Sequence, residues 1–363
     1  MDRFTVTPHV FYAARNDRYI AAKEYVPRRE ASAVPRGCPL TLVTMHAAGF
    51  FKEIWEPVLA TLPLDNMPTS LPADLGNVPE CISFVNSRGY AAAVLDSRPM
   101  QRNEWHVERI MALDAWNHGD SSALNRDKLG RKFSWMSAAQ DIIDVVRQLG
   151  TGSTLVGVGH SLGGSSMLIA QLLQPGLFDA LFAVEPVLAF SRELHDINFE
   201  HVLKRRRTWA KQADFHKYSS SHRFYDTWDP RAKETFTRYG LRPIEIPAAK
   251  GKPNTSGFVL KCHPRDEYEC FQAGQVDSVW TRDHVNEIIS PTRFLMGGLS
   301  SCCPNAHFAR AHASAALLSD ARVAKGLGHL LVIESPATVS RELGRFLNDL
   351  TNLQSALQPR AQL

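Results

Sequence analysis

The stretch VGVGHSLGGSSM, residues 156–167, constrains the fold of this chain more than any other. A β-branched apolar run leads into it and a small-residue apolar run leads out, so a strand has to turn into a helix around Ser161. Gly159 and Gly163 frame the serine in a G-x-S-x-G spacing, and Gly164 follows. In this setting the spacing predicts a turn so tight that larger flanking side chains would collide, with its strain lifting the Ser161 hydroxyl above the sheet edge. The Leu162 N–H and the helix N-terminus then point at any negative charge developing beside that hydroxyl. The plainer alternative is a turn with no chemistry.

Outward from that turn the chain alternates strand and helix. FTVTPHVFYA and YIAAKEYVPR predict strands joined by a polar turn, and PLTLVTMHAAGF a short buried strand ending in a small-residue loop. LPLDNMPTSLPADLGNVPE is polar, contains prolines and reads as an insertion. GYAAAVLDS and VERIMALDAWNHGDS compete for the next strand. The second is preferred because Asn117, His118, Gly119 and Asp120 form a loop suited to closing a strand at the sheet's edge. In SWMSAAQDIIDVVRQLG, Trp135, Ala138, Ile142, Val146 and Leu149 share one helix face, Ser134 can cap the start and Gly150 the end. STLVGVG, ALFAVEP, TRFLMGG and ARVAKGLGH supply further strands. SPATVSRELGRFLNDL closes the chain as a helix, with Ser335 and Pro336 at its start and Val339, Leu343, Phe346 and Leu350 facing the core.

This alternation predicts the α/β class, with a mostly parallel central sheet covered by helices on both faces. From about residue 190 to 285 it lapses into polar, aromatic sequence of helical flavour, read as a helical cap over the strand ends. The expected organisation of the 363 residues is one domain: core residues 1–189, cap insertion 190–285, core residues 286–363.

With 44% hydrophobic and 21% charged residues the composition is that of an ordinary globular protein. A formal charge of +4, from 41 basic and 37 acidic residues, gives no reason to expect a nucleic-acid partner. Only KRRRTWAK, residues 204–211, concentrates basic charge. It is either a solvated face or a contact, through Arg205, Arg206 and Arg207, for a phosphorylated substrate such as an acyl-CoA. The start of the chain lacks the apolar core of a signal peptide, and no stretch is apolar for long enough to span a membrane, so a soluble, non-secreted protein is expected. Six cysteines without CxxC pairs fit reduced thiols. CCPNAHFARAH gathers Cys302, Cys303, His307 and His312, but vicinal cysteines are poorly placed to chelate one ion, and neither metal nor other cofactor is expected.

A serine hydroxyl attacks well only when a base within hydrogen-bond reach takes its proton and a carboxylate orients that base. Among 14 histidines, the chain order Ser, acid, His selects His329, in GLGHLL after the last strand, against the alternative of a surface-loop histidine. His307 and His312 fall on the helix expected after the preceding strand. Between Pro291 and Ser319 there is no Asp or Glu, so the later of two positions for the acid is empty. Glu185, in FAVEPVL, ends a strand at the same carboxyl edge as Ser161, where ligands bind in such sheets. Its alternative role is to cap the next segment, and Asp179 stands at the wrong end of that strand. HAAGF follows the third strand and offers the N–H of Ala48 as a second oxyanion donor beside Leu162. His46 and His118 are read as braces of their loops. The cap aromatics Trp209, Phe224, Tyr225 and Trp228 suggest a bulky apolar substrate group.

HAAGFFKEIWEP, NHGDS, GHSLGG, EPVL and GLGHLL together resemble the α/β-hydrolase superfamily. More narrowly they are similar to fungal hydrolases of toxin and polyketide biosynthesis, a group with peroxisomal lipase-like enzymes and acyl-CoA thioesterases. The likeness runs over nearly the whole chain, including FYDTWDPR in the cap. It implies an α/β-hydrolase fold with Ser161, Glu185 and His329 as nucleophile, acid and base, and a small-molecule acyl ester or acyl-CoA as substrate. The segment from 64 to 105 is longer than the resemblance leads one to expect. The terminal Ala361, Gln362 and Leu363 are similar to an S-K-L peroxisomal address, implying an import receptor as partner, though glutamine replaces the basic residue. The rivals are a carboxylesterase, lipase or acyltransferase on the same residues, and a non-catalytic ligand-binding protein on this fold.

Overall fold

The computed structural model describes residues 1–29, 35–65, 79–85, 104–129, 132–150, 152–188, 198–246, 255–300, 311–316 and 318–357. The competing segment GYAAAVLDS, Cys302, Cys303, His307 and the tripeptide Ala361, Gln362 and Leu363 lie outside the described residues.

Strands β1 (Phe4–Ala13) and β2 (Arg18–Pro27) pair antiparallel as a hairpin, and β3 (Cys38–Met45) is the short buried strand expected before HAAGF. Helix α1 (Glu56–Thr61) and strand β4 (Cys81–Val85) follow. Strand β5 (Trp105–Leu113) is the preferred one of the two competing segments and pairs parallel with β3 and antiparallel with β2. Helix α2 (Trp135–Leu149) starts where the Ser134 hydroxyl accepts from the Ser137 N–H and ends on Gly150 in the left-handed conformation, φ 56°. Strand β6 (Thr154–His160) feeds helix α3 (Leu162–Leu173), and β7 (Ala180–Val184) follows. After the cap come β11 (Thr292–Gly297), β12 (Ser319–Ala324) and the last helix (Pro336–Leu357).

Among the described residues one sheet of nine strands runs in the order β1-β2-β5-β3-β6-β7-β11-β12-β4. Its six central members, β5 to β12, are parallel, as the α/β reading requires. Both faces are covered. One apolar cluster joins α2 and α3 to the sheet through Ile142, Ile143, Leu168 and Phe178. The other packs the last helix against the opposite face through Val339, Leu343, Phe346 and Leu350, all buried, each contributing about 1.5–3 kcal/mol. β5 lies on one side of β3, while β6, β7 and β11 follow one another on the other, so the strand order reverses there and opens a crevice at the carboxyl ends of β3 and β6.

The cap elements lie between β7 and β11. They include helices α4 (Gln212–Ser221), α5 (Pro230–Tyr239) and α6 (Pro264–His284). They also include a three-stranded antiparallel sheet, β8 (Thr208–Trp209), β10 (Thr255–Leu260) and β9 (Leu241–Ile246), which the sequence reading did not single out. Several contacts pin the cap to the core, among them Lys261 on Asp120 and the Asp229 N–H on the Ile333 oxygen. Trp228 and Phe236 pack on Phe50, at ring distances of 5.6 and 5.9 Å. On the other side, the Trp135 ring lies so close to Gly274 of α6 that a Cβ there would come within 2.4 Å of it, and Asp277 accepts the Trp135 N–H at 2.6 Å. Among the described residues no helix is long and apolar enough to cross a membrane.

Candidate active site

Why the glycines surround Ser161 is now geometric. A Cβ on Gly159 would stand 2.4 Å from the Gly163 carbonyl group, and one on Gly163 would stand 2.3 Å from the Met45 oxygen. The elbow is therefore pressed both on itself and on the end of β3. Ser161 sits at φ 52°, ψ −115°, outside the regions a side-chain-bearing residue prefers. Its N–H still donates to Val184 at 2.9 Å, so the sheet ladder holds the strained residue in place. Glu185 repeats the pattern one strand over, at φ 47°, with its N–H donating to Leu295 at 2.9 Å.

Three side chains remote in sequence meet here. His329 Nδ1 lies 2.8 Å from Glu185 Oε2, and His329 Nε2 lies 3.0 Å from Ser161 Oγ. A carboxylate only accepts, so Nδ1 carries the proton, and Nε2 is left to accept from the serine hydroxyl. Glu185 is wholly buried, Ser161 nearly so, and His329 is partly exposed. Asp179 is elsewhere, at the start of β7, accepting the Leu155 N–H at 2.7 Å.

Several supporting residues were not found from sequence. The Gly297 N–H donates to Glu185 Oε1 at 2.6 Å and the Ser300 hydroxyl donates to Oε2. Gly297 is also where β11 meets the histidine loop, since a Cβ there would lie 2.2 Å from the Gly328 oxygen. That loop is held by Glu334, which accepts the Gly328 N–H at 2.5 Å. His160, one residue before the serine, donates Nε2–H to the His329 carbonyl at 2.9 Å. Burial holds its pKa down at about 3, so the ring is neutral. The place of His160 beside Ser161 and the Gly-Gly pair after β11 were the available signals.

The Ala48 and Leu162 N–H groups, expected as oxyanion donors, donate to no other group among the described residues. Ala48 lines the same cavity as Ser161, and Leu162 heads α3. The loop carrying Ala48 is braced as His46 and His118 were expected to brace it. His46 donates from Nδ1 to the Ala47 oxygen at 2.8 Å and accepts the Ala115 N–H at 3.0 Å. His118 accepts the Gly49 N–H at 2.9 Å and donates to Asn117 at 2.7 Å. Burial lowers His46 to about 4 and His118 well below its usual value. Lys52 ties the two loops together through Asp114 at 2.8 Å and Asp120 at 2.6 Å. Burial would push Asp120 up, but Lys52 and Lys261 outweigh it and hold it at about 2.

Ser161 and His329 open on a cavity of about 860 Å³ between core and cap. Arg205, Arg206, Phe224 and Tyr225 line it. Three residues do not. Trp209 is buried against Phe215, 5.0 Å between rings, and Trp228 is buried among Phe50, Tyr225 and Phe236. Arg207 is hydrogen-bonded to His263 away from the hollow. The expectation that these three contact substrate is corrected: Trp209 lies in the cap's own core, Trp228 in the seam between the cap and Phe50, and Arg207 on the outer surface. Arg205 is 3.1 Å from Glu267, so its charge is cancelled on the spot. Burial alone would push Arg205 down, yet Glu267 more than restores its charge, while burial pushes Glu267 up. Glu267 in turn lies against Gly49, where a Cβ would come within 2.6 Å of Oε1. His312 is buried with its ring 5.3 Å from Phe294.

A sequence profile of the alpha/beta hydrolase family matches residues 42–342. The peroxisomal membrane protein LPX1 of Saccharomyces cerevisiae is 23% identical over 342 residues, 88% of this chain and 77% of that one. The type I acyl-CoA thioesterase mpaH' of Penicillium brevicompactum is 26% identical over 266 residues, 68% of this chain; the match spans 52% of that relative, about half its length. A solved structure of the peroxisomal alpha-beta-hydrolase Lpx1 of Saccharomyces cerevisiae superposes with a TM-score of 0.71 at 20% identity, covering 100% of this chain and 94% of that chain.

Proposed function

The chain belongs to the alpha/beta hydrolase family, and from that premise we propose that it cleaves an ester or thioester, most specifically an acyl-CoA, through an acyl-enzyme on Ser161. The observation that carries the reading is the hydrogen-bonded run from Ser161 through His329 to Glu185, opening on a large hollow. Ser161 Oγ attacks the carbonyl carbon as its proton passes to His329 Nε2. Glu185 keeps the Nδ1 proton in place and stabilises the imidazolium. The N–H groups of Ala48 and Leu162 receive the oxyanion. The imidazolium protonates the leaving group as its bond to the acyl carbon breaks. The freed His329 then draws a proton from water as it attacks the acyl-enzyme, and returns it to Ser161 Oγ as the acyl–oxygen bond breaks and the acid leaves.

The thioester preference is supported by the thioesterase relative and by the cationic side of the cavity. A role in fungal toxin or polyketide biosynthesis is part of the proposal and rests on the motif resemblance alone. A peroxisomal setting is supported by the yeast relative; diffuse fluorescence from a reporter carrying the last dozen residues would refute Ala361, Gln362 and Leu363 as its address. The reading is tested by thiol release from a panel of acyl-CoAs beside hydrolysis of simple esters, with native protein and Ser161→Ala. Native turnover lost by a factor of about 10⁴ or more in Ser161→Ala supports it. Equal turnover in both proteins, or none by the native protein on any member of the panel, rejects it.

A further inference from the structure

We infer that Lys204 and Arg206, flanked by His201 and His222, form a phosphate-reading rim at the cavity mouth, so that the substrate's leaving group is its anionic end and the acyl group fills the inner cavity. The inference rests on the hydrolase reading above and adds an orientation to it.

The cavity has two kinds of wall. Its inner side is made by buried Trp135, Val202, Gly274 and Ser278, with Phe199 and Phe271 stacked at 4.6 Å. Its outer side carries His201, Lys204, Arg206 and His222, all exposed. The basic run around Arg205 thus divides in three. Arg205 is neutralised by Glu267, Arg207 faces His263, and only Lys204 and Arg206 bring charge to the mouth. Among the described residues neither has a carboxylate within ion-pair distance. Arg206 is nonetheless held in place: its Nε donates to the Thr208 oxygen at 3.1 Å, and its guanidinium lies over Trp209 and Tyr218 at 5.4 and 5.8 Å. A cation fixed by aromatic rings, with its terminal nitrogens free of any acid, suits a phosphate oxygen.

Orientation follows from solvation. A phosphate drawn into the inner wall would lose its water and meet a cation whose charge Glu267 already balances, which is strongly unfavourable. At the rim it stays partly hydrated and gains two cations. Ser161 and His329 line the same cavity, so a substrate spanning it presents its carbonyl between the two ends.

The test uses one acyl group carried on CoA, on 3′-dephospho-CoA and on N-acetylcysteamine. The quantity read is the ratio of kcat/KM for the CoA thioester to that for the N-acetylcysteamine thioester. In Lys204→Gln/Arg206→Gln the ratio should fall about tenfold or more through KM, with the dephospho thioester intermediate, and added salt should lower the ratio in the native enzyme but little in the variant. An unchanged ratio overturns the inference while native, Ser161-dependent thiol release still upholds the hydrolase reading. Should the double variant misfold on losing the Trp209 stack, Lys204→Gln alone must still lower the ratio, and equality there overturns it too. Leu203 and Phe224 are exposed nearby, so sedimentation with phosphatidylserine vesicles is run in parallel. Vesicle binding lost in the variant with the ratio unchanged would assign the rim to a lipid surface and overturn the inference.

Discussion

Glu185 takes three donors on its two oxygens: the Gly297 N–H on Oε1, and the His329 ring and Ser300 hydroxyl on Oε2. A glutamine of the same shape would turn an NH₂ toward one of these donors and offer His329 the wrong partner for its Nδ1 proton. Glu185→Gln is therefore expected to lower kcat by roughly 10³- to 10⁴-fold with KM little changed, as read by steady-state kinetics. Activity within tenfold of native would contradict the role given to Glu185. Ser161 and Glu185 both hold positive φ, a strain of about 1–3 kcal/mol each, and both are tied down by ladder hydrogen bonds to the neighbouring strand. The three residues could be picked out because spacing and chain order identify them. Arg207, Trp209 and Trp228 could not be placed, because sequence assigns a residue to the cap but not the side of the cap it faces.

At the scale of elements, legibility followed length and period. The last helix buries the face its spacing marks out and α2 does so apart from half-buried Val146, and β3, β6, β7, β11 and β12 stand where short apolar runs put them. The elements not found are short or interrupted. Strand β4 has five residues and follows a proline-rich segment, yet it pairs antiparallel with β12 at the sheet's edge. In the cap, β8 has two residues, and β9 carries Pro243, tolerable because among the described residues β9 is an edge strand paired with β10 alone. Such strands exist through their partners, and pairing between remote segments leaves no local pattern. The same holds for the lock between cap and core: Gly274 under Trp135 is read from neither helix by itself.

For the molecule as a whole, neutral histidines buried at the site are a liability in acid. The unfolded chain protonates His46 and His160 near pH 6.5, whereas the folded chain resists until about 4 and about 3. Their contribution is complete above pH 6.5 and is lost as pH falls, by about 2 kcal/mol for each ring between 6.5 and 5. His118 acts in the same direction. Asp141, which burial raises to about 6, works the other way and returns only about 1 kcal/mol over that interval. Burial also raises Glu56, Glu267 and Glu334, which act with Asp141. The urea midpoint should be lower at pH 5 than at pH 7.5, and an equal or higher midpoint would show that the buried rings do not dominate the acid response. The central claim is that Ser161 becomes covalently acylated with help from His329. Rapid acid quench of the native enzyme with an accepted thioester, followed by intact-mass and peptide analysis, should find one acyl group on the peptide containing Ser161 and none in Ser161→Ala. Steady turnover with no acyl mass on that peptide, or the same mass gain in Ser161→Ala, would contradict it.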